Sequence, residues 1–172
     1  MKISGYGGWK MRMSCPRVFL VGFLAVVAGL SLSLVAYAGE EENPEDFMQL
    51  HNIEIAFHKA GSTRDLGLML SLFADDAVLT TKGKTYTGKD QIKSYWQAHP
   101  AFQPQAQWVG YTPAFRIQYD VQGDRAHLYF ECLWVDKTAG KIAAHTNSDD
   151  TLARINGRWL IKTMKAEAVP EL

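Results

Sequence analysis

Between residues 47 and 60 the apolar positions Phe47, Leu50, Ile53, Phe57 and Ala60 recur at three- and four-residue steps. That period makes one stripe of an amphipathic helix turned toward a core. Asn43-Pro44-Glu45-Asp46 starts it, with a capping side chain, a proline in the first turn and two acids at the positive end of the helix dipole. Gly61-Ser62-Thr63 ends it. Arg64 or Asp65 then opens a shorter helix through Leu66, Met69, Leu70 and Phe73. Asp75-Asp76 reads as a turn into a strand at 77–81, and Lys82-Gly83-Lys84 turns the chain back through a short strand holding Tyr86. Thr87-Gly88-Lys89-Asp90 caps a third helix with Ile92, Tyr95 and Trp96 on its apolar side, and His99-Pro100 stops it.

The second half changes period. Three long stretches, 108–121, 126–135 and 142–155, suit strands, with turns at Gln122-Gly123-Asp124 and Thr138-Ala139-Gly140. In the middle stretch Ala126, Leu128, Phe130, Cys132 and Trp134 alternate with His127, Tyr129 and Glu131, so the first set faces the helices. Asn156-Gly157 is a strong hairpin signal, since both residues tolerate positive φ, and its return strand runs over 159–166. Helices first and a meander of strands afterwards predict an α+β fold, with three N-terminal helices packed on one face of a curved antiparallel sheet.

Composition adds a leader. Residues 1–38 hold Lys2, Lys10, Arg12 and Arg17 but no acid, then an almost wholly apolar run from 18 to 35, then Ala36-Tyr37-Ala38. This is the layout of a cleaved export signal, with Met11 or Met13 as alternative starts; an uncleaved membrane anchor over 18–38 is the alternative. The protein is therefore expected to be exported, periplasmic or secreted. An acidic linker over 39–45 and one domain over 46–169 follow. Without the leader, 14 basic residues face 18 acidic ones, a formal charge of −4 that argues against a nucleic-acid partner. Cys132 is then the one remaining cysteine, so no internal disulfide forms and the core must supply the stability.

Leu72-Phe73-Ala74-Asp75-Asp76-Ala77-Val78, Tyr86-Thr87-Gly88-Lys89-Asp90-Gln91-Ile92 and Gly157-Arg158-Trp159-Leu160-Ile161 together resemble the nuclear transport factor 2-like superfamily. The nearest branch in appearance is the SnoaL-like one, with polyketide cyclases and relatives of ketosteroid isomerase. The resemblance spans about 46–169. It implies a cone with the helices on the concave face of the sheet, a cavity between them, and a homodimer through the sheet. Superfamily members include cyclases, isomerases, dehydratases and transport factors, so fold alone selects no activity. Ketosteroid isomerase uses a carboxylate base, a tyrosine and a protonated aspartic acid. Matched without gaps through Phe73-Ala74-Asp75-Asp76, Thr81 stands in place of the base, Phe57 in place of the tyrosine and Asp150 in place of the acid. A threonine hydroxyl does not take a proton from carbon at neutral pH and phenylalanine has no donor, so steroid isomerisation is disfavoured.

Asp150 is thus the leading candidate for an inward acid, sharing its strand face with Thr146, Ser148 and Leu152; a bulge would swap the faces. The plain alternative is a solvated carboxylate. His51, Glu54 and His58 share one side of the first helix, but the two histidines lie about 10 Å apart along the axis, too far for one ion. No metal site is expected. Glu54 and His58 remain candidates for an acid or base at the cavity edge. Trp96, Tyr119 and Trp159, with Phe57 and Thr81, are the candidate ligand contacts, on the argument that rings favour a flat apolar guest. No phosphate loop, nucleophile elbow or cysteine–histidine pair occurs, and no cofactor is expected. Three readings follow: a binder of a small, largely apolar molecule; a cofactor-independent acid–base isomerase, dehydratase or cyclase; and a homodimeric interaction module with a filled core.

Overall fold

The computed structural model describes residues 43–113 and 116–170. The expected leader over 1–38, the alternative start positions and the acidic segment 39–42 lie outside the described residues. Helix α1 runs Pro44–Thr63. The Asn43 side chain accepts from the Glu45 amide at 3.0 Å, and Arg64 closes the helix in the left-handed region at φ 60°. Asp65 caps α2 (Leu66–Ser71) by accepting from the Leu68 amide at 2.8 Å. Helix α3 (Gly88–Ala98) follows, and Pro100 opens a single 3₁₀ turn, Pro100–Phe102.

Seven strands form one sheet: β1 Phe73–Thr81, β2 Lys84–Thr87, β3 Trp108–Tyr111, β4 Ile117–Gln122, β5 Arg125–Asp136, β6 Lys141–Ile155 and β7 Arg158–Ala168. Their order is β2-β1-β7-β6-β5-β3, with β4 also paired to β5. The fold is α+β, a curved and unclosed sheet with three helices, as the sequence pattern predicts. Three details differ from expectation. The sheet is mixed rather than wholly antiparallel, because β1 lies parallel to β7. The predicted strand over 108–121 is two strands, β3 and β4, which occupy different stretches of the same edge of β5 on either side of Pro113. Asp75-Asp76 lies inside β1, not in a turn before it. The register against β7 slips between Phe73 and Val78 there, and both carboxylates stay exposed beside Lys89 and Lys162.

The register of β6 decides which way Asp150 points. Leu152 pairs with Ile161 while Thr151 pairs with Thr163, so the extra residue, Lys162, sits in β7. Alternation in β6 is therefore kept through this region: Ser148, Asp150 and Leu152 are buried while Asp149 and Thr151 are exposed. The core lies between this face and α1, around Phe57, Phe130, Leu128, Ile161 and Met164. Trp134 threads from β5 between α1 and β3. A Cβ on Gly110 would stand 2.7 Å from its ring, and one on Gly61 would overlap the ring tip. Those two glycines are what let the indole through.

Candidate functional site

Between the helices and the sheet lies a cleft of about 530 Å³. Phe57 of α1, Tyr95 and Trp96 of α3, Trp108 of β3 and Trp134 of β5 supply its rings. They pack mostly edge to face: Phe57 meets Trp96 at 5.5 Å between centroids, and Trp96 meets Tyr95 at 4.9 Å. The sheet side contributes Cys132, Thr146 and Ser148, and Thr81 closes one wall. Burial pushes the Cys132 thiol well up, so it is a small apolar surface rather than a nucleophile. Tyr95 is a phenol held protonated, since burial raises it more than the neighbouring Thr81 hydroxyl lowers it.

Behind Ser148 lies Asp150, with no exposed surface. The Ser148 hydroxyl donates to its Oδ1 at 2.7 Å, and its Oδ2 has no hydrogen-bond partner. Burial raises this acid well above the usual carboxylate range, Ser148 pulls it back only in part, and the charge of Asp149 raises it further. Burial thus favours the protonated acid, whose hydroxyl is a hydrogen-bond donor. Asp150 thus points inward, yet it reaches the cleft only through Ser148.

Glu54 and His58 form a second buried pair on α1, with His58 Nδ1 2.7 Å from Glu54 Oε1. Burial pushes Glu54 up, but the His58 hydrogen bond and charge, with a Thr112 hydrogen bond and the His51 charge, together outweigh it, and the net shift is down. His58 packs on Phe57, Phe130 and Trp134, and its Nε2 is buried without a partner. Neither Glu54 nor His58 lines the cleft; Phe57 and Trp134 stand between. Among the described residues no three His, Cys, Asp or Glu side chains gather as a metal-binding set.

Of the predicted ligand contacts, Phe57, Thr81 and Trp96 meet in the cleft, and two do not. Tyr119 packs on Phe47 at 4.9 Å and lines a separate hollow with Asp46 and Arg154. Trp159 donates its indole N–H to Asp46 at 2.9 Å under the Arg154 guanidinium, 4.4 Å from the ring. Asp46 is held below the usual carboxylate range by the Arg154 hydrogen bond, against the opposing effect of burial. These residues pin the start of α1 to the β6–β7 hairpin. Aromatic spacing reports that a side chain faces inward, not which end of the interior it reaches. Cleft residues that the sequence reading did not name as ligand contacts include Tyr95, Trp108, Trp134, Lys82 and His99, the last taken only as a helix stop. Its spacing of four from Tyr95 on α3 is the signal that places both on one helix side.

A helix-roofed, curved α+β sheet around an aromatic cleft is the architecture of the nuclear transport factor 2-like superfamily. Within it the chain belongs to the SnoaL-like domain family, whose profile matches residues 51–165. No curated protein matches the chain. Among solved structures, a protein with a cystatin-like fold from Nostoc punctiforme PCC 73102 is similar at 18% identity and a TM-score of 0.67, over 76% of this chain and 96% of that one. A protein described as a scytalone dehydratase from Novosphingobium aromaticivorans DSM 12444 gives 14% identity and a TM-score of 0.62, over 74% and 86%. One described as a dehydratase of the NTF2-like family from Streptomyces avermitilis gives 14% and 0.60, over 75% and 100%. Likeness at these identities establishes the fold alone. No helix among the described residues is long and apolar enough to cross a membrane.

Proposed function

We propose that this protein binds a small, largely apolar molecule in the cleft between helices and sheet. The observation that carries the reading is a space of about 530 Å³ walled by five aromatic rings, with Thr81, Thr146 and Ser148 among its polar groups and Lys82 and Glu167 as its charged ones. Rings offer flat contact to a flat guest, and burial behind Ser148 favours the uncharged form of Asp150 on the sheet side. The test is titration with 2-acetylnaphthalene, read by tryptophan fluorescence, in the wild type and in Ala144→Trp. Ala144 lines the cleft beside Trp134, its cross-strand neighbour, so an indole there extends into the space. Saturable one-site binding weakened at least about tenfold by the substitution is expected, since a filled pocket forfeits the contact area. Absent binding, or binding indifferent to Ala144→Trp, refutes the reading.

A second reading is acid–base chemistry of the isomerase or dehydratase kind on the same scaffold; it requires the Phe57 and Trp134 rings to move aside so that the buried Glu54–His58 pair meets a guest in the cleft. It predicts enzyme-dependent deuterium exchange from heavy water into the methyl group of bound 2-acetylnaphthalene, abolished in Glu54→Gln. Exchange no faster than in buffer excludes it. Two further proposals come from the sequence. Residues 1–38 are a cleaved export leader, so the exported protein begins at Gly39; an intact leader in the membrane fraction contradicts this. The outer sheet face pairs with a second copy, and a monomer by sedimentation at micromolar concentration contradicts that.

A further inference from the structure

We propose that His99 is the polar anchor of the cleft, a neutral imidazole whose Nε2–H donates to an oxygen acceptor, carbonyl or phenol, carried by a flat ring-bearing ligand. The inference rests on the reading of the cleft as a binding site and names the class of molecule that site selects.

His99 follows the last turn of α3 and caps the 3₁₀ turn behind it, its Nδ1 accepting from the Ala101 amide at 3.3 Å. An amide N–H can only donate, so Nδ1 must present its lone pair, and the ring proton of the neutral form resides on Nε2. The backbone of this turn is tied down independently. The Gln103 side-chain amide donates to the carbonyls of Gln97 at 2.9 Å and His99 at 3.2 Å. Tyr95 and Trp96 flank the imidazole at centroid distances of 5.7 and 5.1 Å. With Nδ1 turned to the backbone and aromatic rings beside it, the Nε2 edge is the polar edge of His99 left to the cleft it lines.

Three things oppose a charged form. Burial disfavours it first, the Lys82 ammonium at the same mouth repels it, and a proton on Nδ1 would face the Ala101 N–H. The first two hold the ring at about 4, so it is neutral near pH 7. The site therefore gives no reward to a ligand anion through His99 charge; it gives one through a directed N–H. Tyr95, with Thr81 beside its hydroxyl, supplies a second neutral group near the same mouth, and Lys82 favours electron-rich oxygen there. A purely apolar hydrocarbon leaves the His99 donor without a partner on binding. A ketone or phenol of the same shape does not.

The probes are 2-acetylnaphthalene and 2-isopropenylnaphthalene, alike in shape and differing in whether the side group carries an acceptor oxygen. Two variants separate the donor from the cap. His99→Phe keeps a ring between Tyr95 and Trp96 and removes both nitrogens; His99→Asn keeps a capping acceptor for Ala101 and withdraws the donor from the cleft. Calorimetry on the full mature chain is expected to show the ketone binding about fivefold tighter than the alkene in the wild type, with that ratio falling to about one in both variants. Equal binding of the two probes in the wild type, or a ratio that persists in both variants, overturns the role of His99 while leaving the cleft as a binding site. Failure of either probe to bind the wild type removes the cleft reading, and this one with it.

Discussion

Two buried carboxylates on neighbouring strands show how this sheet treats its two faces. Asp150 of β6 faces the helices and Glu131 of β5 faces away, and each is at least nine-tenths buried. Glu131 accepts from Arg116 Nη1 at 3.0 Å and from the Tyr129 hydroxyl at 3.2 Å, and lies 2.9 Å from His145 Nε2. Burial pushes it up, the His145 hydrogen bond and the Arg116 charge push harder the other way, and it ends below its ordinary value. Asp150 has one hydroxyl donor and ends far above. Burial is common to both; the number of donors decides which acid keeps its charge. At Glu131 the outer face thus holds a charge under a thin layer of side chains, and at Asp150 the inner face disfavours one. An uncharged guest suits the second.

The comparison breaks hardest at Asp150→Asn. A folded-state value above the unfolded 3.8 means that the folded chain binds the extra proton, so this group's contribution is full below 3.8 and is lost as pH rises toward the folded value. The loss runs at about 1.4 kcal/mol per pH unit within that window. Asparagine cannot ionise and still accepts from Ser148, so urea unfolding at pH 5, 6, 7 and 8 is expected to show the variant gaining on the wild type as pH rises, until the folded-state value is passed. A constant difference across that range would mean that Asp150 is already charged. Next comes Gly61→Ala. Alanine ordinarily stabilises a helix by about 1 kcal/mol, but here its methyl would run into Trp134, and a net loss of about 1–3 kcal/mol is expected by thermal melts. A gain would show that Trp134 has room to move.

On the outer face the expected effects are smaller and of opposite pH sense. Glu131→Gln should cost about 1–2 kcal/mol at pH 7, discounted because Arg116 is partly exposed. Glu131 sits below its unfolded 4.5, so its contribution is present above 4.5 and fades as pH falls through the folded value; the gap between wild type and variant should close in acid. Tyr129→Phe removes one of the donors and should cost about 0.5–1 kcal/mol, with the carboxyl titration of Glu131, followed by NMR, moving upward. An unmoved titration would leave Tyr129 as a bystander.

Much of this was legible before any coordinates, and for identifiable reasons. Asn156 and Gly157 turn at φ 52° and 74°, where few other residue pairs go, and the sequence of β5 alternates apolar and polar from Ala126 to Cys132, so the final hairpin and the inward set could be read directly. The parallel pairing of β1 with β7 could not, because local alternation is the same for either direction. Nor could the break at Pro113, since the strand-like pattern runs on across it while only the width of β5 accommodates two partners. Asp75-Asp76 has turn chemistry spent on a register slip. The inward aim of Asp150 followed from parity once the bulge fell in β7. Tyr119 and Trp159 share the aromatic character of the cleft residues and lie elsewhere. His99 was hidden because a histidine before proline reads first as punctuation.

The most direct test is a chemical-shift titration of the protein with 2-acetylnaphthalene. The account predicts saturable shifts gathered on the Trp96 and Trp134 indoles, the Ala144 methyl and the Ser148 amide, with the resonances of Tyr129, Glu131 and His145 unmoved. Shifts gathered instead on that outer trio, or none at either face, would contradict it.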